Sequence, residues 1–143
     1  MSLLAVRPLV FPLSASALQT FLAFDFGVRR TGVASGNSLT RTATPQGAVV
    51  ATAATRLAAV ELLVKTWQPD ALVVGVPFHP DGAPHENTAR AQKFARQLRA
   101  RLGLKVFEVD ERYSTTEALA LGAADADAAS ACIILEQFLR GLP

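Results

Sequence analysis

The 143-residue sequence predicts an α/β domain with one mixed five-stranded sheet, order βββαβαβα, and helices on both faces. Three observations predict it. Half of the residues are apolar and 18% are charged, enough for one core without covalent staples. Three strand-like segments follow one another before the first helical segment, and helix and strand alternate after it. Residues 71–76 form one continuous apolar run, as expected of a parallel strand covered on both faces.

The elements follow in order. Residues 21–26 are short, aromatic-rich and closed by Gly27, which reads as a buried strand. Residues 31–36 and 39–44 sit at hairpin spacing across Gly36-Asn37-Ser38. A helix is expected over 48–67, with Leu57, Val60, Leu63 and Val64 inward and Pro69 beyond its end. After the strand at 71–76 come a loop at 77–84 and a helix over 86–102 that buries Phe94, Leu98 and Leu102. Residues 104–109 form the fifth strand. Ser114, with Glu117 three residues on, is expected to cap a helix. The last helix, 127–139, buries Ile133, Ile134, Leu135 and Phe138.

Residues 1–20 read as a poorly ordered extension and 21–143 as the folded domain. Arg7, Pro8 and Pro12 break the leucine-rich start, and no base precedes it, unlike a secretory signal. Residues 47–67 fall short of the roughly 18 uninterrupted apolar residues of a membrane span. A lone cysteine, Cys132, excludes a disulfide framework, so a cytoplasmic location is expected.

The net charge of +2 is too small to demand an anionic partner, but its distribution is uneven. Between residues 1 and 60 the only acid is Asp25, against five arginines. An ionised carboxylate inside an apolar strand is costly unless it is paired or binds a metal. Asp25 points away from its neighbours Phe24 and Phe26, so only one side of that strand needs to be polar. Gly27 and Gly32 leave room for a ligand, with Arg29 and Arg30 in the turn. A plain salt bridge to one of those arginines is the alternative.

Asp110-Glu111-Arg112 lies just beyond the fifth strand, where open α/β sheets collect binding residues. Alternation puts one of the two acids on the inner face, without saying which. Asp127, near Asp125, opens the last helix, where most such residues are N-caps. Brought together, one acid from each region would make a carboxylate site for Mg²⁺ or Mn²⁺. Such a pair of metals can hydrolyse phosphodiesters. His79 and His85 fall in the proline-rich loop without ligand spacing, and Cys132 reads as a small core residue. The helix over 86–102 carries Arg90, Lys93, Arg96, Arg99 and Arg101 against Glu86, either a solvated face or a phosphate track.

These residues resemble the YqgF/RuvX family of RNase H-like proteins from about Phe21 to the C-terminus. The likeness rests on Ala23-Phe24-Asp25-Phe26-Gly27 with Arg30 and Gly32-Val33-Ala34, and on Val73-Val74-Gly75-Val76-Pro77 with Asp81-Gly82. It continues through Thr88-Ala89-Arg90 with Lys93-Phe94, and Val109-Asp110-Glu111-Arg112 with Ser114-Thr115 and Glu117-Ala118. Asp127 followed by Ala128-Ala129-Ser130-Ala131 and Ile133-Ile134-Leu135 completes it. The sequence departs from the family pattern in a short segment at 119–126 and in Tyr113, where an aliphatic residue is common.

The resemblance implies an RNase H-like fold with the first strand beside the last helix. It implies Asp25, Asp110 and Asp127 as metal ligands, with Glu111 as the alternative to Asp110 in the catalytic set. Arg29, Arg30, Arg90, Lys93, Arg112 and Ser114 would contact nucleic acid. The activity it implies is two-metal-ion phosphodiester hydrolysis with Mg²⁺ or Mn²⁺, most directly at the 5′ end of pre-16S rRNA. A Holliday junction resolvase acting on branched DNA is the alternative. A non-catalytic nucleic-acid-binding module with the same fold, or an actin-like ATPase, stands as a reading of another class. The partners expected are structured RNA or branched DNA, by a monomer or a homodimer.

Overall fold

Strand β1 (Thr20–Asp25) lies at the centre of the sheet, because its residues have apolar partners on both faces. The structure, a computed structural model, describes residues 18–111 and 123–143. The strand order is β3-β2-β1-β4-β5, with β2 (Arg30–Asn37), β3 (Ala43–Val50), β4 (Ala71–Pro77) and β5 (Lys105–Glu111). β1 pairs antiparallel with β2 and parallel with β4, and β4 pairs parallel with β5. The sheet is mixed, as expected.

Alternation along β1 divides the core in two. Leu22, Phe24 and Phe26 pack with Val60 of α1 (Ala53–Trp67) and with Phe94 and Leu98 of α2 (Thr88–Leu102). Phe21 and Ala23 face the other way, onto Ala131, Ile134, Leu135 and Leu139 of α3 (Ala123–Arg140). Full burial of side chains this large contributes about 1.5–3 kcal/mol each. By the same period of two, Asp25 falls on the α3 side.

Several boundaries differ from those expected, and two of the differences have a visible local cause. Residues 43–50 form β3 where a helix was expected to begin at 48. Val49 and Val50 pair with Thr31 and Arg30, and β-branched residues favour that setting over a first helical turn. The turn before β3 is organised by the Asn37 side chain, which accepts the N–H groups of Leu39 and Thr40, so 39–42 are not strand. Strand β5 runs two residues further than expected, through Asp110 and Glu111. Helix α3 starts at Ala123, four residues earlier than expected. Part of the segment that looked like a shortened loop is therefore helix. The capping helix expected at Ser114, and Tyr113, lie outside the described residues.

Leu18 is buried against the α3 side and Thr20 opens β1. Among the described residues no helix is long and apolar enough to cross a membrane.

Candidate active site

Asp25 closes β1 at the end where β1, β4 and β5 all terminate. Its register partners are Gly32 on β2 and Gly75 on β4, a glycine on each flank. The two glycines do different things. A Cβ at Gly32 would overlap the carbonyl oxygen of Asp127, so the missing side chain lets the α3 backbone rest on the sheet. A Cβ at Gly75 would overlap Ile134 and lie 3.2 Å from Oε2 of Glu111, so that gap admits the Glu111 side chain. The room at Gly32 thus goes to the protein's own helix and not, as expected, to a ligand. The gap at Gly27 is filled in the same way by the carbonyl of Arg30.

Asp25, Glu111 and Asp127 meet around this point. Asp25 hydrogen-bonds Glu111 and receives the hydroxyl of buried Ser130, one helical turn after Asp127. Its carboxyl is held well above the usual carboxylate range. Burial is the first cause, followed by the charge of Glu111 and their shared hydrogen bond, then the charge of Asp127; the Ser130 hydroxyl opposes them. Crowding like charges in a half-buried place is unfavourable for folding and marks candidate functional sites.

Asp127 is the fifth residue of α3, inside the helix, so the N-cap alternative falls away. Arg30 Nε lies 3.0 Å from its Oδ2. That buried oxygen nevertheless has no hydrogen-bonded partner among the described residues, so the guanidinium meets it as a charge without an aligned N–H.

The two adjacent acids of β5 separate. Phe107, Val109 and Glu111 lie on the α3 side, whereas Val106 packs on the α2 side, which is therefore also the side of Asp110. Glu111 is buried and Asp110 exposed. Glu111, and not Asp110, is the acid that β5 brings beside Asp25, because the strand continues through both residues and alternation decides between them. The sequence could not decide this while both acids were read as lying beyond the strand.

Arg29 is exposed in the β1–β2 turn. Arg90 and Lys93 are exposed on the N-terminal half of α2, and Arg90 donates to Asn87 Oδ1 at 3.1 Å. Arg112 and Ser114 lie outside the described residues. His79 is exposed; His85 is half-buried, its Nδ1 accepting the N–H of Asn87 at 3.0 Å, with the two rings 5.0 Å apart. Burial pushes the Cys132 thiol up to about 11, with the charge of Glu136 a lesser cause, which suits an inert core residue.

Sequence reading assigned no individual role to Arg56. It is 93% buried, with its guanidinium 4.6 Å from the centre of the Phe26 ring and donating to the Val28 carbonyl. Arg56 therefore ties α1 to the turn that carries Arg29 and Arg30. Its spacing with Val60 and Leu63 on the inward face was the available signal.

Hard oxygen donors, a buried carboxylate oxygen without a hydrogen bond, and a strained acid pair suit a divalent cation. Among the described residues no three His, Cys, Asp or Glu side chains close into a ready-made metal cage. The donor set fits the metal in chemistry, with Asp127 turned to Arg30.

Comparison with known proteins agrees with this architecture. The model of the family described as "RuvX: Holliday junction resolvase" matches residues 19–141. A protein of Polaromonas sp. (strain JS666 / ATCC BAA-500) named "Putative pre-16S rRNA nuclease" is 76% identical over the whole of both chains. One of the same name from Albidiferax ferrireducens is 62% identical, over 95% of this chain and 94% of its own. Among solved structures, T. thermophilus RuvC in complex with a Holliday junction substrate superposes with a TM-score of 0.53 at 16% identity. That match covers 85% of this chain and 93% of RuvC, and shows the shared fold.

Proposed function

Because the chain belongs to the RuvX family, we propose that it is a metal-dependent nuclease acting on structured nucleic acid, with the 5′ region of pre-16S rRNA as its substrate. The observation that carries this reading is the meeting of Asp25, Glu111 and Asp127 around two glycines where the central strands end. The near relatives' name supports RNA as the substrate class. The family description makes branched DNA the second reading.

Asp25, Glu111 and Asp127 would hold Mg²⁺ or Mn²⁺. When bound, such ions supply Lewis-acid stabilisation of charge that develops on the phosphate oxygens during hydrolysis. The chain's own residues do the rest. The Ser130 hydroxyl fixes the orientation of Asp25, and Gly75 lets Glu111 reach it. Arg29 and Arg30 would position a backbone phosphate beside the carboxylates, and Arg90 and Lys93 would hold phosphates further along, without reading sequence. The family resemblance extends the same role to Arg112 and Ser114.

The test is to digest a pre-16S 5′-leader RNA and a four-way DNA junction side by side with Mg²⁺ and with Mn²⁺. Cleavage of the leader is expected, and its loss in Asp25→Asn and in Asp127→Asn with the circular dichroism unchanged. Full activity in either variant would overturn the proposal. Cleavage of the junction alone would establish the resolvase reading. RNA binding that survives chelation, with no cleavage of either substrate, would make the chain a binding module.

A further inference from the structure

Arg30 and Gly32 lie two residues apart on β2 and so share a face, the one covered by α3. The α3 backbone rests on Gly32 through the carbonyl of Asp127, which brings the Asp127 side chain beside Arg30. The pairing is thus set by the backbone and needs no particular surface rotamer elsewhere.

Its character is unusual for a structural salt bridge. The two groups are 3.0 Å apart, yet Asp127 Oδ2 is buried with no hydrogen bond among the described residues. The Arg30 side chain is 43% exposed against 24% for Asp127. A guanidinium so placed neutralises charge but can swing into solvent at small cost, because a partly exposed ion pair is worth little. The carboxylate cannot follow it, being fixed to a helix that is packed on the sheet.

We propose that Arg30 is the built-in counter-ion of Asp127, which a divalent cation arriving at Asp25, Glu111 and Asp127 must displace. Displacement frees the guanidinium for a substrate phosphate. Metal and nucleic acid then reinforce each other, since each favours the arrangement in which Arg30 has left Asp127. The inference rests on the metal-dependent reading of the site. It also accounts for a donor set that is not closed into a cage while Arg30 occupies Asp127.

The experiment titrates the full chain with Mn²⁺ by calorimetry, without nucleic acid, in wild type, Arg30→Gln and Arg29→Gln. Arg29→Gln removes the same charge one residue away, outside the strand. Arg30→Gln is expected to bind Mn²⁺ about three- to fivefold more tightly, the upper part of the scale of a partly exposed ion pair. Arg29→Gln is expected to change affinity by less than about twofold, as for a charge more nearly screened. If Arg30→Gln does not fold, Arg30→Thr, a residue suited to a strand, carries the same expectation. Unchanged or weaker Mn²⁺ binding in the Arg30 variant overturns the counter-ion role and leaves the metal reading standing, as does an equal gain in Arg29→Gln. Absence of Mn²⁺ binding in every variant overturns both.

Discussion

An aspartate lies at each end of β1, Asp70 from just before β4 and Asp25 from β1 itself, and the structure treats them in opposite ways. At the start of the strand, Asp70 accepts the N–H groups of Gln19 and Thr20, both at 2.9 Å, and its own N–H donates back to Thr20. At the finish, Asp25 meets Glu111 and Asp127. One acid is surrounded by donors and latches β1 to β4. The other is surrounded by acids and works against folding. A carboxylate that serves the fold is given hydrogen bonds, whereas one that serves chemistry is held among like charges until something else neutralises them.

The largest expected effect breaks this comparison directly. Asp25→Asn should lower metal-dependent cleavage at least about 10²-fold, the scale of one lost electrostatic contact to a transition state. The same change should raise the melting temperature of the metal-free protein at pH 8. Asp70→Asn should do the reverse, costing about 1–2 kcal/mol in denaturant unfolding while cleavage at 25 °C stays near wild type. Equal behaviour of the two variants would remove the distinction.

Gly75→Ala should come next. The added methyl would overlap Ile134 and crowd Glu111 Oε2, and overpacking of this kind costs about 1–3 kcal/mol. Activity should fall further than stability explains, because Glu111 loses its path to Asp25. Single-turnover cleavage well below the unfolding midpoint separates the two effects.

The raised pKa of Asp25 supplies a smaller effect with a definite sign. Its folded value lies above the ordinary 3.8, so the native state binds the proton more tightly than the unfolded chain does. That contribution is fully present below the unfolded value and is lost as pH rises through the folded one. Metal-free stability should therefore fall from about pH 4 upward until Asp25 has ionised, a slope that Asp25→Asn should abolish. Saturating Mg²⁺ should flatten it in wild type, since the ion stabilises the ionised form.

Much of this contrast was legible in the sequence. Asp25 stood out because an acid inside an aromatic strand needs a reason, and the division of β1 into two apolar faces followed from alternation alone. The choice between Asp110 and Glu111 was not legible, because it turned on two residues of strand length, and strand ends depend on tertiary pairing. Gly75 was hidden for a related reason. Within a run of Leu, Val and Val it reads as part of a core strand, and only the neighbouring strand shows what the missing side chain admits. Arg56 was hidden because charge normally signals exposure, and the aromatic rings that cover it come from Phe26, just past β1, and Phe94 of α2.

The comparison extends to the cations of α2, which runs from the Asp25 end of the sheet toward the Asp70 end. Near the Asp70 end Arg99 meets Glu108 at 3.0 Å and Arg101 meets Glu61 at 3.2 Å. Near the Asp25 end, Arg90 and Lys93 have no ion pair among the described residues. A cation already beside a carboxylate releases few counterions when a phosphate arrives, whereas a free one releases its share. Arg90→Gln and Lys93→Gln should each reduce the slope of log K against log salt by about 0.7–0.9, the value of one phosphate contact. Arg99→Gln and Arg101→Gln should reduce it by less than about half as much on the same scale. Filter binding of a catalytically inactive Asp25→Asn chain across a salt series would measure all four. Equal slopes would mean that nucleic acid senses only the total charge of the helix; unequal slopes would show that its backbone follows the half of α2 that leads to the site.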